Sequence, residues 1–191
     1  MFAKNSSEEA VTAPLSPLCA SQPAIRPATL ADARGIAALL GELGYPSAAD
    51  RVHLRLEAIL SRDDHRVLVA EGERGLAGVI SVCWGLGLEQ DGRWGQILAL
   101  VVTAAARGKG LWARLLAHAE DWLRAAPVAR IIVTSSQRRT AAHRFYQNRG
   151  YRADGRRFVK TPEHAGGVPL QMDNSGLSAA RTSGAPASTR H

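Results

Sequence analysis

Glycine and basic residues alternate near the middle of the chain, in the run Arg107-Gly108-Lys109-Gly110-Leu111. The apolar run QILALVV at 96–102 predicts a buried strand before it, and apolar periodicity predicts a helix after it. A turn from strand into helix leaves the first N–H groups of the helix unpaired, and these groups with the helix dipole suit a phosphate. Glycine allows close backbone approach, and the basic side chains add charge. A tight turn that merely needs glycine is the alternative, but the succession of elements favours phosphate binding.

The two common nucleotide motifs do not fit this turn. A dinucleotide site needs GxGxxG, whereas residues 108–113 read GKGLWA and lack the third glycine. A P-loop needs GxxxxGK followed by Ser or Thr, whereas Lys109 is followed by Gly110. The phosphate ligand is therefore of another kind.

Two motifs together point to one family. The run LALVVTAAARGKGLW places Val102 five residues before Arg107. A later run reads Ala142-His143-Arg144-Phe145-Tyr146-Gln147-Asn148-Arg149-Gly150-Tyr151. With their order, their spacing and the elements that carry them, these motifs over about 24–160 resemble the GNAT family of N-acetyltransferases. The resemblance implies an enzyme that passes an acetyl group directly from acetyl-CoA to an amine.

The resemblance also implies roles for individual residues. Pyrophosphate would bind the backbone amides from Arg107 to Trp112, and pantetheine would pair with the edge of the strand at Leu100–Val102. A backbone N–H near Leu100 would serve as an oxyanion hole. Tyr146 would be the general acid that protonates the leaving thiolate. The cofactor-binding residues are then Leu100, Val101, Val102, Arg107, Gly108, Lys109, Gly110, Leu111, Trp112 and Arg139.

Two departures from the family pattern keep a second function open. The family has Gly or Ala where this chain has Trp112, and an indole there either crowds the cofactor or packs on the helix. Many relatives carry Glu on the strand that QILALVV forms here, and this strand has none. Glu89 and Asp91 lie just upstream, where acting through water and loop solubility are both open, so the general base is unassigned. A CoA-binding module with little or no activity is the alternative.

The basic charge of the chain is local. Its net charge is +7. One stretch, 130–160, holds nine basic residues: Arg130, Arg138, Arg139, Arg144, Arg149, Arg152, Arg156, Arg157 and Lys160. The only acidic residue there is Asp154, which suggests an anionic partner, and CoA supplies phosphates. A nucleic-acid-binding protein is a less favoured alternative, because no aromatic residues interleave with the basic ones as a stacking platform needs.

Apolar periodicity and turn residues predict an α/β fold: a mixed, mostly antiparallel sheet with helices on both faces. Thr29 with Asp32, and Ser47 with Asp50, predict the starts of two helices. Buried strands are predicted at 96–102 and 130–136, a fourth helix at 138–150, and a last strand or hairpin at 151–160. The predicted element order is βααβββαβαβ.

The domain limits and location follow from composition. One acetyltransferase domain is expected over 24–160, with disordered tails at 1–23 and 161–191 that hold too few large apolar groups to fold. No apolar run suits a membrane span, and no secretory signal is recognised. Two cysteines and unpaired histidines predict no metal site. A cytoplasmic enzyme is expected, with a homodimer left open.

Overall fold

The computed structural model describes residues 22–155 and 158–160. Its elements are β1 Ile25–Pro27, α1 Ala33–Leu43, α2 Ala49–Leu60, β2 His65–Gly72, β3 Gly75–Leu86, β4 Arg93–Val102, α3 Leu111–Ala125, β5 Val128–Val133 and α4 Thr140–Gln147. Short 3₁₀ turns lie at Leu30–Asp32 and Ala104–Ala106. The predicted tail at 1–23 lies outside the described residues except for its last two, and the tail at 161–191 lies wholly outside them.

The five strands form one sheet in the order β1-β2-β3-β4-β5. The first three pairings are antiparallel, and β4 pairs with β5 in parallel. One apolar cluster packs α1 and α2 on one face, and a second packs α3 on the other. The predicted fold class is therefore confirmed.

Glycines allow α3 to lie close to the sheet. A Cβ on Gly78 in β3 would be 2.9 Å from Leu115 Cδ1, and one on Gly95 in β4 would be 3.0 Å from Leu123 Cδ2. The first distance is shorter than real Cβ contacts and the second is tight, so a side chain at either position would force the leucine of α3 to shift. This close packing holds α3 across β3 and β4, and the N-terminus of α3 lies just beyond the end of β4.

The start of α1 confirms the first capping signal. The Thr29 N–H donates to Asp32 Oδ2 at 2.7 Å, and the chain passes through the 3₁₀ turn into α1. The start of α2 differs from the prediction, because the N-cap is Ala48. The Ser47 hydroxyl instead donates to the Tyr45 carbonyl at 3.4 Å.

Three expectations near the C-terminus differ from the structure, two of them in bounds or burial and one in the element itself. The strand expected at 130–136 is β5, Val128–Val133, and it is only partly buried: Val128, Ile131 and Val133 pack against the α3 cluster, whereas Ala129, Arg130 and Ile132 are exposed. The fourth helix is α4, which is shorter than 138–150 at both ends. No strand or hairpin forms at 151–155 or 158–160, and 156–157 lie outside the described residues.

Candidate active site

The two central strands separate part of the way along their length. The pairing of β3 with β4 continues to Val102, whereas the pairing of β4 with β5 ends at Ile97 and Val133. In the described part of the chain, the edge of β4 over residues 98–102 that faces away from β3 therefore has no strand partner. This opening, which we call the cleft, exposes a backbone edge to which an extended ligand can hydrogen-bond.

The predicted contact strand lines this cleft through its backbone. The side chains of Leu100, Val101 and Val102 are 7%, 3% and 1% exposed, so they belong to the core. A β-bulge lies just before them, because Ser81 pairs with Ala99 while Val82 pairs with Ile97. Leu98 is the extra residue, and a bulge re-aims backbone and side-chain groups where a ladder ends.

The Gly-rich turn follows β4 and leads into α3. Gly108 and Gly110 have φ values of +75° and +74°, in the left-handed region that favours glycine. A Cβ on either glycine would meet no protein atom within 4 Å. Among the described residues, no backbone N–H from Gly108 to Ala113 donates a hydrogen bond to another residue, and the next, that of Arg114, donates to the Gly110 carbonyl at 3.2 Å. Free donors above open space fit a phosphate group.

The two basic side chains of the turn differ in their surroundings. The Arg107 guanidinium lies 3.5 Å from Glu42 Oε2 of α1, and its Nε lies 3.4 Å from the Val102 carbonyl. The same carboxylate oxygen accepts the Ala104 N–H at 3.2 Å. Lys109 is exposed and has no salt bridge within the described ranges. Arg107 therefore joins the turn to α1, and Lys109 is the cation available to a ligand.

Trp112 packs between two helices. Its indole, on α3, contacts the Phe145 ring of α4 edge to face, with ring centroids 5.3 Å apart. The Arg149 guanidinium also lies over Phe145, 5.4 Å from its ring centroid. Its Nε1 is buried and has no hydrogen-bond partner in the described part of the chain. The indole is thus held between α3 and α4 by packing.

Tyr146 lies on the neighbouring position of α4. Its ring is in edge contact with Phe145 on one side and Tyr151 on the other, with centroid distances of 5.3 and 5.5 Å. No described residue hydrogen-bonds its hydroxyl. Burial raises the pKa of the phenol, and the nearby Arg139 charge opposes that rise. The group therefore stays protonated at neutral pH and can donate a proton.

Tyr151 fixes the C-terminal end of this aromatic row. Its hydroxyl donates to Glu120 Oε1 of α3 at 2.7 Å. Burial and this hydrogen bond hold the pKa of Tyr151 well above its usual value. Tyr146 thus lies between two contacts that hold α4 against α3, one through Trp112 and one through Glu120.

Glu89 and Asp91, the acidic residues considered for the general base, are not part of the cleft, the Gly-rich turn or the aromatic row. Glu89 forms a salt bridge with Arg130 at 3.0 Å, and Asp91 is exposed in the β3–β4 turn. A search of the described residues finds no cluster of three His, Cys, Asp or Glu side chains that could hold a metal. In the same residues no helix is both long and apolar enough to cross a membrane.

Sequence reasoning missed three contributors: Glu42, Glu120 and Leu98. Glu42 contacts residues more than sixty positions away, and Glu120 contacts Tyr151 across 31 positions, so no local pattern signals either. Leu98 lies inside an apolar run, where a bulge leaves no compositional mark. The sequence gives one hint for Glu42 and Glu120: each lies in a segment that has the apolar periodicity of a helix.

Comparison with known proteins assigns the chain to a family of acetyl-transfer enzymes. The acetyltransferase (GNAT) family model matches residues 35–151. The chain belongs to this family, and it is an acetyl-CoA-dependent N-acetyltransferase.

Individual relatives agree with this assignment. The chain is 32% identical over 142 residues to the aminoalkylphosphonate N-acetyltransferase of Salmonella typhimurium, covering 71% of this chain and 89% of the relative. A GNAT family acetyltransferase structure from Staphylococcus aureus aligns with a TM-score of 0.63 and 25% identity, covering 74% and 99% of the two chains. The same fold occurs in AAC(6')-Iy bound to the bisubstrate analogue CoA-S-monomethyl-acetylneamine, with a TM-score of 0.64, 18% identity and coverage of 75% and 100%.

Proposed function

We propose that the cleft binds acetyl-CoA in an extended conformation and that the acetyl group passes to the amine in one direct step. The pyrophosphate binds the free amides from Gly108 to Ala113, with Lys109 adding charge. Pantetheine pairs with the open edge of β4 at Leu100–Val102. Arg139, the N-cap residue of α4, is proposed as a further cation for the same ligand. The observation that carries this proposal is the coincidence of an unpaired strand edge with an unpaired turn at its end.

Backbone groups beside the bulge stabilise the charge that develops during attack. As the amine nitrogen forms a bond to the acetyl carbon, negative charge moves onto the carbonyl oxygen. An N–H of the open β4 edge near Leu100 donates to this oxygen. The donor is fixed by the ladder to β3, so it needs no rearrangement when the charge appears.

Tyr146 completes the exchange of protons. The tetrahedral intermediate collapses with cleavage of the C–S bond, and Tyr146 donates its phenolic proton to the departing thiolate. The proton released by the amine nitrogen returns to the phenolate through water, so the products are an amide and free CoA thiol. The role is supported by the protonated state of Tyr146 and by its hydroxyl, which no described residue engages.

The packing of Trp112 favours an active enzyme over a CoA-binding module. A crowding indole is one of the two reasons to consider the module, beside the missing Glu on β4, and this indole packs against Phe145. In the Gly-rich turn, a Cβ on Gly108 or Gly110 would still meet no protein atom within 4 Å, so the indole does not fill the space above these glycines. We therefore assign Trp112 to the support of the cofactor turn.

A glycine substitution tests the cofactor site. Gly110→Val places a branched side chain where the phosphate binds and should weaken CoA binding by at least about tenfold, about 1.4 kcal/mol, in calorimetry. Gly75→Val is the matched control, because Gly75 also has a positive φ of +118° and open space at its Cβ, but it lies in the β2–β3 turn. Equal CoA affinity in the two variants would contradict the assignment of the turn.

The wider organisation remains part of the proposal. We take 24–160 as the catalytic domain, with 1–23 and 161–191 as tails, working in the cytoplasm. Gel filtration with light scattering decides between a monomer and a homodimer.

A further inference from the structure

Ile132 is an exposed apolar residue beside the cleft. Its neighbours Ile131 and Val133 pack against the α3 cluster, so Ile132 faces the opposite side of the sheet, which carries α1 and α2. Register places it next to Gln96 of β4. It is 36% exposed and does not belong to the cluster under α1 and α2.

Leu98 and Trp94 extend this apolar surface along β4. Leu98, at the bulge, is 48% exposed on a strand whose other large aliphatic residues are buried. Trp94 lies two residues before Gln96, and its ring covers Gly85, where a Cβ would be 2.5 Å from Cζ2 of the indole. Trp94, Leu98 and Ile132, which we call the mouth patch, surround the point where β4 and β5 separate.

The mouth patch lacks an available charge. Neither β4 after Arg93 nor β5 contains an acidic residue. Among the described residues, Glu89 is paired with Arg130 at 3.0 Å, and Asp64, just before β2, is paired with Arg62 at 2.6 Å. These two strands therefore offer a cationic ligand no carboxylate, and their one cation after Arg93, Arg130, is already paired with Glu89.

We propose that the acceptor is a primary amine carried on an uncharged apolar body, which packs on Leu98 and Ile132 while its nitrogen reaches the acetyl carbon. The proposal rests on the acetyl transfer proposed above. The mouth patch adjoins the open edge of β4, so an acceptor that enters from this face of the sheet meets it before the thioester. A second charge on the acceptor would lose water against these side chains without gaining a partner, which opposes binding.

Three amines of equal chain length test the proposal: hexylamine, 6-aminohexanoate and 1,6-diaminohexane. They differ only in an apolar, anionic or cationic far end. With the full-length protein and acetyl-CoA, we expect kcat/KM for hexylamine to exceed both others by at least about tenfold, measured by thiol release. Equal values, or a preference for either charged amine, would overturn the proposal.

A charge placed on the mouth patch tests the residues themselves. Leu98→Glu should lower kcat/KM for hexylamine at least about tenfold and raise it for 1,6-diaminohexane, because it supplies the missing carboxylate. Leu54→Glu is the control, since Leu54 is 55% exposed on α2 and lies outside the patch. An unchanged ranking of the three amines in Leu98→Glu would show that Leu98 does not contact the acceptor.

Failure of the transfer itself gives a different result. A protein that binds acetyl-CoA in calorimetry but releases thiol with none of the three amines contradicts this acceptor class, whereas a protein that does not bind acetyl-CoA contradicts the proposed cofactor site on which the class rests. Release that favours a charged amine leaves the transfer intact and removes only the acceptor class.

Discussion

The three tyrosines of the chain allow the role of Tyr146 to be separated from packing. Tyr146→Phe keeps the ring, whose edge contacts with Phe145 and Tyr151 lie at 5.3 and 5.5 Å, and removes only the proton donor. We expect kcat to fall about 10²-fold, within the usual range for a general acid, and CoA affinity to stay within a few-fold. Stability should change by less than about 0.5 kcal/mol, because no described residue hydrogen-bonds the hydroxyl.

Tyr151→Phe should give the opposite result. It removes a hydrogen bond of 2.7 Å to the Glu120 carboxylate, which is 25% exposed and can regain water. We expect a loss of about 1 kcal/mol in the free energy of unfolding, with kcat within a few-fold of the wild type. Tyr45→Phe, in the exposed α1–α2 loop, should change neither quantity.

Steady-state kinetics with the best amine, calorimetry with CoA and urea denaturation of the three variants make the comparison. Full activity in Tyr146→Phe would show that water or another side chain protonates the thiolate. A stability loss in Tyr146→Phe equal to that in Tyr151→Phe would refute the claim that its hydroxyl is free.

Two further predictions concern charges. Glu42→Gln leaves the Arg107 cation unneutralised beside the phosphate turn, so CoA should bind about two- to five-fold more tightly, with a larger gain at low salt; calorimetry showing no salt-dependent gain would contradict this. Asp32 accepts two hydrogen bonds from Arg26 at 2.8 and 2.9 Å, and this pairing lowers the pKa of the carboxyl from 3.8 to about 2. Because the folded pKa is lowered, the stabilisation is present above pH 3.8 and is lost as pH falls towards about 2. Asp32→Asn should therefore cost about 1–2 kcal/mol at pH 7, a difference that urea denaturation should find shrinking between pH 4 and 2; a constant difference would refute it.

Local patterns were enough to predict the elements that carry the cofactor turn. The sharp turn from strand to helix predicts that positions 108 and 110 need glycine, and both residues adopt positive φ values. The apolar stripe of α3 and its end near Pro127 follow from residue spacing alone. These features depend on residues that are neighbours in the sequence, so the sequence alone is enough to predict them.

The features that sequence reasoning missed depend on distant contacts. The partial exposure of β5 follows from which elements cover its two faces, and the apolar residues of the strand itself do not indicate this. The pairing of Arg107 with Glu42 and the bulge at Leu98 arise from packing between elements. The direction of Trp112 likewise became clear only from its contact with Phe145 on another helix.

Thiol release before and after the amine is added tests direct transfer in the cleft. Full-length protein is mixed with acetyl-CoA alone, thiol is followed with time, and hexylamine is then added. Direct attack predicts no stoichiometric release until the amine arrives, followed by one thiol for each N-acetyl product found by mass spectrometry. Release of one equivalent of thiol per protein before the amine is added, with the acetyl group found on the protein, would contradict the account.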